Sequence, residues 1–188
     1  MKTSTKRMVE TALLVAVATV LSMLKIDMPM GGGLTICSML PIILLSHRYG
    51  WKWGLVSSTV YSLLQLVLGL DNVSYATSAI MAIGIIFLDY IIAYIVIGLS
   101  GLTEKFLGKT RTAVIVGIVI TFTLRYLCHV VTGAWIWDVL WPNEYGMSSI
   151  VYSLAYNGWY MAAEIIITVV VAVIIYKPLE KYFKGKVY

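Results

Sequence analysis

The sequence contains few of the residues on which disulfide frameworks and metal sites depend. Its two cysteines, Cys37 and Cys128, stand alone in their segments and form neither a Cys-x-x-Cys pair nor a metal-ligand spacing. We expect both to be small buried apolar residues, because free cysteine commonly packs in this way. The sequence therefore predicts no disulfide, no metal site and no cofactor.

Motifs for nucleotide binding and for secretion are absent as well. Gly101 and Gly108 resemble part of a phosphate-binding loop, but six residues separate them where the motif requires four. The first apolar stretch resembles a signal peptide, yet it has no small-x-small cleavage site before Lys25, so we expect a retained helix. No internal repeat stands out, and the short linkers leave no room for a second domain. We expect one domain over residues 1–188, without ATP binding.

Apolar surface is what the chain has in excess. Hydrophobic residues make up 60% of its 188 residues, against about 45–50% in a typical soluble domain. A soluble fold of this length has too much surface for its volume to bury that fraction. The apolar residues fall in blocks near the roughly 20 residues that cross a bilayer, where spans must be helical. We predict an all-α integral membrane protein, a bundle of six transmembrane helices. The predicted helices cover residues 8–26, 34–47, 54–70, 78–100, 113–136 and 150–176.

The few charged residues are distributed unevenly along the predicted topology. Twelve of the 14 Lys and Arg residues lie on one side, in the two terminal segments and in two alternate loops. The opposite loops hold Lys25 together with four acidic residues, and Arg125 lies inside a span. This asymmetry places both termini in the cytoplasm and predicts a multi-pass protein of the cell (cytoplasmic) membrane. Because orientation accounts for the net charge of +5, we expect no nucleic acid as a partner.

Four ionisable residues lie at a membrane depth where charge is costly and requires a partner or a function. They are Asp89, Arg125, His129 and Glu164. In the fifth span, Arg125, His129, Gly133 and Trp137 recur every four residues, a spacing that drifts by only about 40° per step and forms one stripe. We expect Arg125 and Glu164 to form a buried ion pair with a structural role.

Two other spans also carry polar faces. Asn157, Tyr160 and Glu164 share one face of the sixth span, and Asp89 is followed by Tyr90 in the fourth. These faces must meet one another rather than lipid, and they could simply be a polar seam between helices. An acid, an imidazole, a carboxamide, phenols and an indole together also suit a flat heteroaromatic ligand with positive charge. Aromatic faces would hold the cation, and the amide and the imidazole would form hydrogen bonds with nitrogen atoms of the ligand's rings.

Two external segments leave alternatives open. The first external loop contains Met30, Gly31, Gly32 and Gly33, and three successive glycines disfavour a helix. It forms either a plain turn or a flap over an outward-facing pocket. Residues 135–149 carry several aromatic rings, which form either an interfacial belt or a cage for a cation.

Taken together, these residues resemble the thiamine-specific S components of energy-coupling factor (ECF) vitamin transporters, over most of the chain. The resemblance is strongest over residues 124–158. This segment contains a basic residue, His, Gly and Trp at four-residue steps, followed by Tyr-Ser-Leu-x-x-Asn. Residues 87–93 match the acid-Tyr motif of the fourth helix, and residues 28–41 resemble the gate loop and second helix of one branch. Some members carry Trp and Glu where this chain has Gly32 and Ile36.

The resemblance implies a substrate-capture subunit without enzymatic activity, which binds thiamine with high affinity in an outward-facing pocket. The residues that would contact the ligand are Asp89, Tyr90, His129, Gly133, Trp137, Tyr152 and Asn157. Trp137 would stack on the thiazolium, and the others would hold the aminopyrimidine, while residues 30–33 would form the gate loop. Within membrane lipid, Ala12 and Ala16 would dock on a transmembrane coupling subunit that works with two ATPase subunits.

Three alternatives remain at this point. The first is an S component for another small heteroaromatic compound, either pyridoxine-like or hydroxymethylpyrimidine. The second is a membrane-embedded enzyme that uses Asp89, His129 and Glu164 as acid–base groups, although no nucleophile or metal constellation accompanies them. The third is a lone secondary transporter, for which the sequence offers no inverted repeat.

Overall fold

A computed structural model describes residues 3–27 and 33–185, and helices make up most of it. The helices are α1 (Thr3–Met23), α2 (Leu40–Tyr49), α3 (Trp51–Leu68), α4 (Leu70–Ser74), α5 (Ala79–Leu107), α6 (Arg111–Leu140), α7 (Ser149–Tyr176) and α8 (Glu180–Phe183). Two short strands, β1 (Lys25–Asp27) and β2 (Gly33–Thr35), pair antiparallel after α1. The all-α prediction is therefore correct for the bundle but misses this hairpin.

Local sequence explains where several helices begin and end. The hydroxyl of Ser78 accepts a hydrogen bond from the backbone of Met81 at the start of α5, and Thr110 does the same at the start of α6. Such caps satisfy backbone donors that have no partner in the first helical turn. Gly50 has a φ of 88° and separates α2 from α3, a conformation that glycine adopts without steric cost.

The predicted second helix over residues 34–47 is wrong in its first part. Residues 33–35 are a strand, Cys37 has a φ of 56°, and the helix begins at Leu40 with Pro41 in its first turn. Proline is well accommodated there because the first turn needs no backbone donor. The ten residues of α2 rise only about 15 Å. Nearly all of them are buried inside the bundle, so this apolar run faces protein rather than lipid.

Three helices of the described chain are long and apolar enough to cross a membrane. They are α5, α6 and α7. Helix α6 packs against both α5 and α7, while α3 packs against α5, and α2 lies among α1, α3 and α5. The protein is therefore a helical membrane protein.

Parts of α5 and α6, two of which carry predicted site residues, depart from regular α-helix. In α5, residues Ile85–Ile92 form a π-helix and Val96–Thr103 a 3₁₀-helix, and in α6 Gly133–Trp137 form a second π-helix. Asp89 lies in the first π-segment and Trp137 ends the second. Such segments are rare and often occur at functional sites.

Small residues let three helices approach closely on the side of the bundle away from the π-segments. A Cβ atom added to Gly54 of α3 would lie 2.3 Å from the carbonyl oxygen of Gly98 in α5. A Cβ on Gly117 of α6 would lie 2.6 Å from the carbonyl oxygen of Ser100. Small residues at such crossings are how membrane helices pack without a hydrophobic driving force.

A polar cluster joins the first and last described helices. Arg48 Nε donates to Glu10 Oε2 over 2.8 Å, and the hydroxyls of Tyr49 and Tyr182 also donate to this carboxylate. The guanidinium of Arg48 lies 3.6 Å from the ring centroid of Tyr182. Burial and the nearby Glu10 carboxylate raise the pKa of the Tyr182 hydroxyl. Like an ordinary tyrosine, it is protonated and able to donate at neutral pH. The start of α1 and helix α8 thus lie at one end of the bundle, called the terminal end below.

Candidate ligand-binding site

A cavity of about 810 Å³ lies at the end of the bundle opposite the terminal end. Residues from α1, the hairpin, α3, α4, α5, α6 and α7 line it. Its volume is in the range of about 300–1,000 Å³ that is typical of small-molecule sites. All seven residues predicted to contact a ligand lie on its wall. They are Asp89, Tyr90, His129, Gly133, Trp137, Tyr152 and Asn157.

Asp89 is the centre of the polar network in this cavity. Its Oδ1 accepts hydrogen bonds from His129 Nδ1 over 2.9 Å and from the Thr132 hydroxyl. Its Oδ2 accepts from Trp137 Nε1 over 2.8 Å. Three donors from α6 thus hold one carboxylate on α5, which is 8% exposed. Hydrogen bonds to an anion are the strong ones, so this network fixes the orientation of both the imidazole and the indole.

The imidazole of His129 has one nitrogen without a hydrogen-bond partner among the described residues. Because Asp89 accepts from Nδ1, a neutral His129 carries its proton there and presents Nε2 as an acceptor. Nε2 is enclosed and has no hydrogen-bond partner among the described residues. A buried polar atom without a partner is costly. Because Nε2 is enclosed by protein, an amine of a bound ligand would satisfy it only after a small shift of the surrounding side chains.

Asn157 lies beside this imidazole with its amide oriented by four contacts. Its Nδ2 donates to the backbone oxygen of His129 over 3.2 Å and to both oxygens of Ser153, while its Oδ1 accepts from the Tyr160 hydroxyl over 2.9 Å. Gly133 makes this arrangement possible, because a Cβ there would lie 2.2 Å from Ser153 Oγ and 2.9 Å from Asn157 Nδ2. Gly133 therefore permits close contact between α6 and α7 and brings no binding group of its own.

Aromatic rings form two walls of the cavity. On α6, Trp137 stacks on Trp141 with ring centroids 5.7 Å apart and an angle of 19° between the planes. On α7, Tyr152 and Tyr156 stack at 5.9 Å, and Tyr156 meets Tyr160 edge-on. Ring faces attract cations, most strongly when the site excludes water. The walls and the Asp89 carboxylate together favour a flat ligand with positive charge.

Tyr90 lines the cavity as the sequence predicts, but its hydroxyl is bonded to the scaffold. Its hydroxyl accepts from Asn72 Nδ2 over 2.7 Å and donates to the backbone oxygen of Gly69 over 3.2 Å. A Cβ on Gly69 would lie 2.0 Å from that hydroxyl. Tyr90 thus joins α5 to the α3–α4 corner, and its ring contributes to the cavity wall.

The floor of the cavity contains the predicted ion pair. Arg125 donates to Glu164 Oε2 over 2.7 Å, so the predicted pairing is confirmed, and the two residues are 7% and 2% exposed. Arg125 also donates to the Tyr94 hydroxyl over 3.3 Å. The other oxygen of Glu164 accepts from the hydroxyl of Thr35 in β2 over 2.6 Å. The ion pair therefore holds α6, α7 and the hairpin together.

Several cavity residues were missed by the sequence analysis. Ser22, Lys25, Thr35, Gln65 and Asn72 line the side formed by α1, the hairpin, α3 and α4. They are single polar residues in apolar or loop segments, without a periodic pattern. A carboxamide within the predicted span over residues 54–70 would be costly, and that signal alone could have marked Gln65.

The remaining predicted residues lie outside this polar network. Met30, Gly31 and Gly32 of the expected gate loop fall outside the described residues, whereas Gly33 is in β2 and lines the cavity. Ala12 and Ala16 are exposed on the outer surface of α1. No cluster of three or more His, Cys, Asp or Glu side chains that could hold a metal occurs within residues 3–27 and 33–185.

Comparison with known proteins identifies the family. The chain matches the thiamine transporter protein (Thia_YuaJ) family over residues 8–184. It belongs to that family. A curated relative, the thiamine transporter ThiT of Bacillus subtilis (strain 168), is 32% identical over 191 residues, which cover 95% of this chain and 94% of the relative. The chain is thus a member of a family of transport proteins, not of enzymes.

Two solved structures share the fold. ThiT from Listeria monocytogenes has a TM-score of 0.77 at 23% identity, and the match covers 96% of this chain and 98% of the other. The S component of a bacterial ECF transporter has a TM-score of 0.64 at 22% identity, covering 96% and 99%. These structures show the shared fold, while the family match confirms the predicted resemblance to thiamine transport proteins.

Proposed function

We propose that this chain is the substrate-capture subunit of an ECF-type importer and binds thiamine with high affinity in the 810 Å³ cavity. The observation that carries the proposal is the Asp89 carboxylate, held by three donors between a free imidazole nitrogen and a stacked indole. The family membership and the name of the B. subtilis relative support the same ligand.

The two rings of thiamine match two parts of this cavity. Thiamine carries an aminopyrimidine and a cationic thiazolium, joined by one carbon. The exocyclic amine would donate to His129 Nε2, and Asn157 and Tyr152 would lie along the pyrimidine. The thiazolium would lie on the Trp137 ring near the Asp89 carboxylate, so that ring and charge both favour the cation. The position of each ring follows from the hydrogen bonds and ring contacts described above.

The arrangement of the bundle supports an outward-facing cavity. Ser22 at the end of α1 lines the cavity, whereas Glu10 near the start of α1 lies at the terminal end. Because the start of α1 and helix α8 share that end, the number of crossings is even, and α1, α2, α3, α5, α6 and α7 would supply six. The basic residues concentrated at the terminal end would place it in the cytoplasm, in one domain of the cell membrane.

Helix α1 offers a surface for the coupling partner. Ala12 and Ala16 lie one turn apart and are both exposed, while the neighbouring Val15 and Ala18 are buried. A small-residue surface lets another helix approach closely within lipid. We expect a transmembrane coupling subunit to dock there, with two ATPase subunits driving the release of thiamine inward.

A ligand titration tests the proposed function. The chain, purified in detergent, is titrated with thiamine, pyridoxine and hydroxymethylpyrimidine while tryptophan fluorescence is recorded. All quenching ligands would act through Trp137 and Trp141, which line the cavity. Of the three ligands, thiamine should saturate the quenching of tryptophan fluorescence at the lowest ligand concentration. Tighter binding of pyridoxine or of the free pyrimidine would assign the chain to another ligand, and no saturable response to any of the three would contradict a capture role.

A further inference from the structure

Gln65 is a buried carboxamide with unused hydrogen-bonding capacity. It lies on α3, is 8% exposed and lines the cavity on the side of α1. Its Nε2 donates to Ser22 Oγ over 2.7 Å, and this is the one hydrogen bond that its side chain makes among the described residues. A carboxamide offers two donors and an acceptor oxygen with two lone pairs, so one bond to a neighbouring helix leaves most of that capacity unused.

The neighbouring serine fixes which way the amide points. Ser22 Oγ donates its own proton to the backbone oxygen of Thr19 over 2.7 Å. Ser22 must therefore accept from Gln65, which directs the amide nitrogen toward α1 and leaves Oε1 free. Oε1 accepts no hydrogen bond from the described residues and is not enclosed by them. The network thus presents a carbonyl acceptor to the cavity.

We propose that Gln65 determines ligand specificity by accepting a hydrogen bond from the hydroxyl group of bound thiamine. The proposal rests on the proposed function, and it concerns the end of the ligand that the Asp89 network does not hold. In that function the amine is held by His129 and the cation by Trp137, so the hydroxyethyl group carries the donor that remains. If Gln65 served only to link α3 to α1 by a hydrogen bond, its amide nitrogen would suffice, and Oε1 would have no partner.

The test compares two ligands on two proteins. The ligands are thiamine and the analogue in which an ethyl group replaces the hydroxyethyl group, and the variant is Gln65→Met, which keeps an unbranched chain without the acceptor. The wild type should bind thiamine about 5–10-fold more tightly than the analogue, the size of one net hydrogen bond. Gln65→Met should lose that preference by weakening thiamine binding alone.

The analogue also serves as the control for folding, since its remaining contacts are the same in both proteins. Equal weakening of both ligands in Gln65→Met would make Gln65 a packing residue and overturn the proposal. An unchanged preference for thiamine in the variant would overturn it as well. Gln65→Leu provides a second variant with the same expectations. Failure of the wild type to bind thiamine at all would instead refute the proposed function.

Discussion

The ion pair in the cavity floor gives the sharpest stability prediction. Replacing Arg125 with Met leaves Glu164, 2% exposed, with the Thr35 hydroxyl as its remaining hydrogen-bond partner. Removing one partner of a buried pair costs about 3–5 kcal/mol, because the other charge stays buried without compensation. For a chain of this size, each kcal/mol corresponds to roughly 2–4 °C in Tm. Arg125→Met should therefore lower the Tm by at least about 6 °C.

The matched control removes both charges. Arg125→Met combined with Glu164→Met should recover most of the lost Tm, since a buried pair can often be replaced by apolar residues of similar volume. The Thr35 hydroxyl would lose its acceptor, which costs about 1 kcal/mol. Thermal unfolding in detergent measures both variants, and thiamine binding is recorded in parallel.

Two results would refute this reasoning. If Arg125→Met unfolds at the wild-type temperature, the pair does not stabilise the fold. If the double variant is stable but no longer binds thiamine, the guanidinium serves the ligand directly, and its assignment to the scaffold is wrong.

Two further predictions separate the cavity from the partner surface. Asp89→Asn should weaken thiamine binding by about 1–3 kcal/mol, because the amide cannot accept from three donors at once. Titration of a monodisperse sample measures this loss. Unchanged affinity would contradict the central role of Asp89. Ala16→Trp should abolish co-purification with the coupling subunit and leave thiamine binding intact, since Ala16 is exposed on α1. Joint loss of binding and co-purification would assign Ala16 to internal packing.

Long continuous apolar runs made α5, α6 and α7 predictable from the sequence. The predicted starts lie close to those observed, but α5 continues to Leu107 and α6 to Leu140, beyond the predicted ends at residues 100 and 136. The polar residues of α6 and α7 were predictable for a related reason. In a membrane span a charge must have a partner, so Arg125 and Glu164 could be paired across 39 positions before any coordinates were considered.

Other features leave no such pattern. The apolar residues of α2 have the same composition whether they face lipid or protein, so the buried ten-residue helix could not be distinguished from a lipid-facing one. The π-segments Ile85–Ile92 and Gly133–Trp137 have no residue spacing that marks them in the sequence. The contact that restricts Gly133, namely Ser153 on α7, also exists only in the folded bundle.

The most direct test of the central claim compares thiamine with an analogue of the same shape whose five-membered ring carries no charge. Isothermal titration of the purified chain should show one site and a preference for thiamine. A cation–π contact of about 0.5–2 kcal/mol predicts a preference of roughly 2- to 30-fold. That preference is the expected result if the thiazolium lies on Trp137 beside Asp89. Equal affinity for the charged and uncharged ligands would contradict the account.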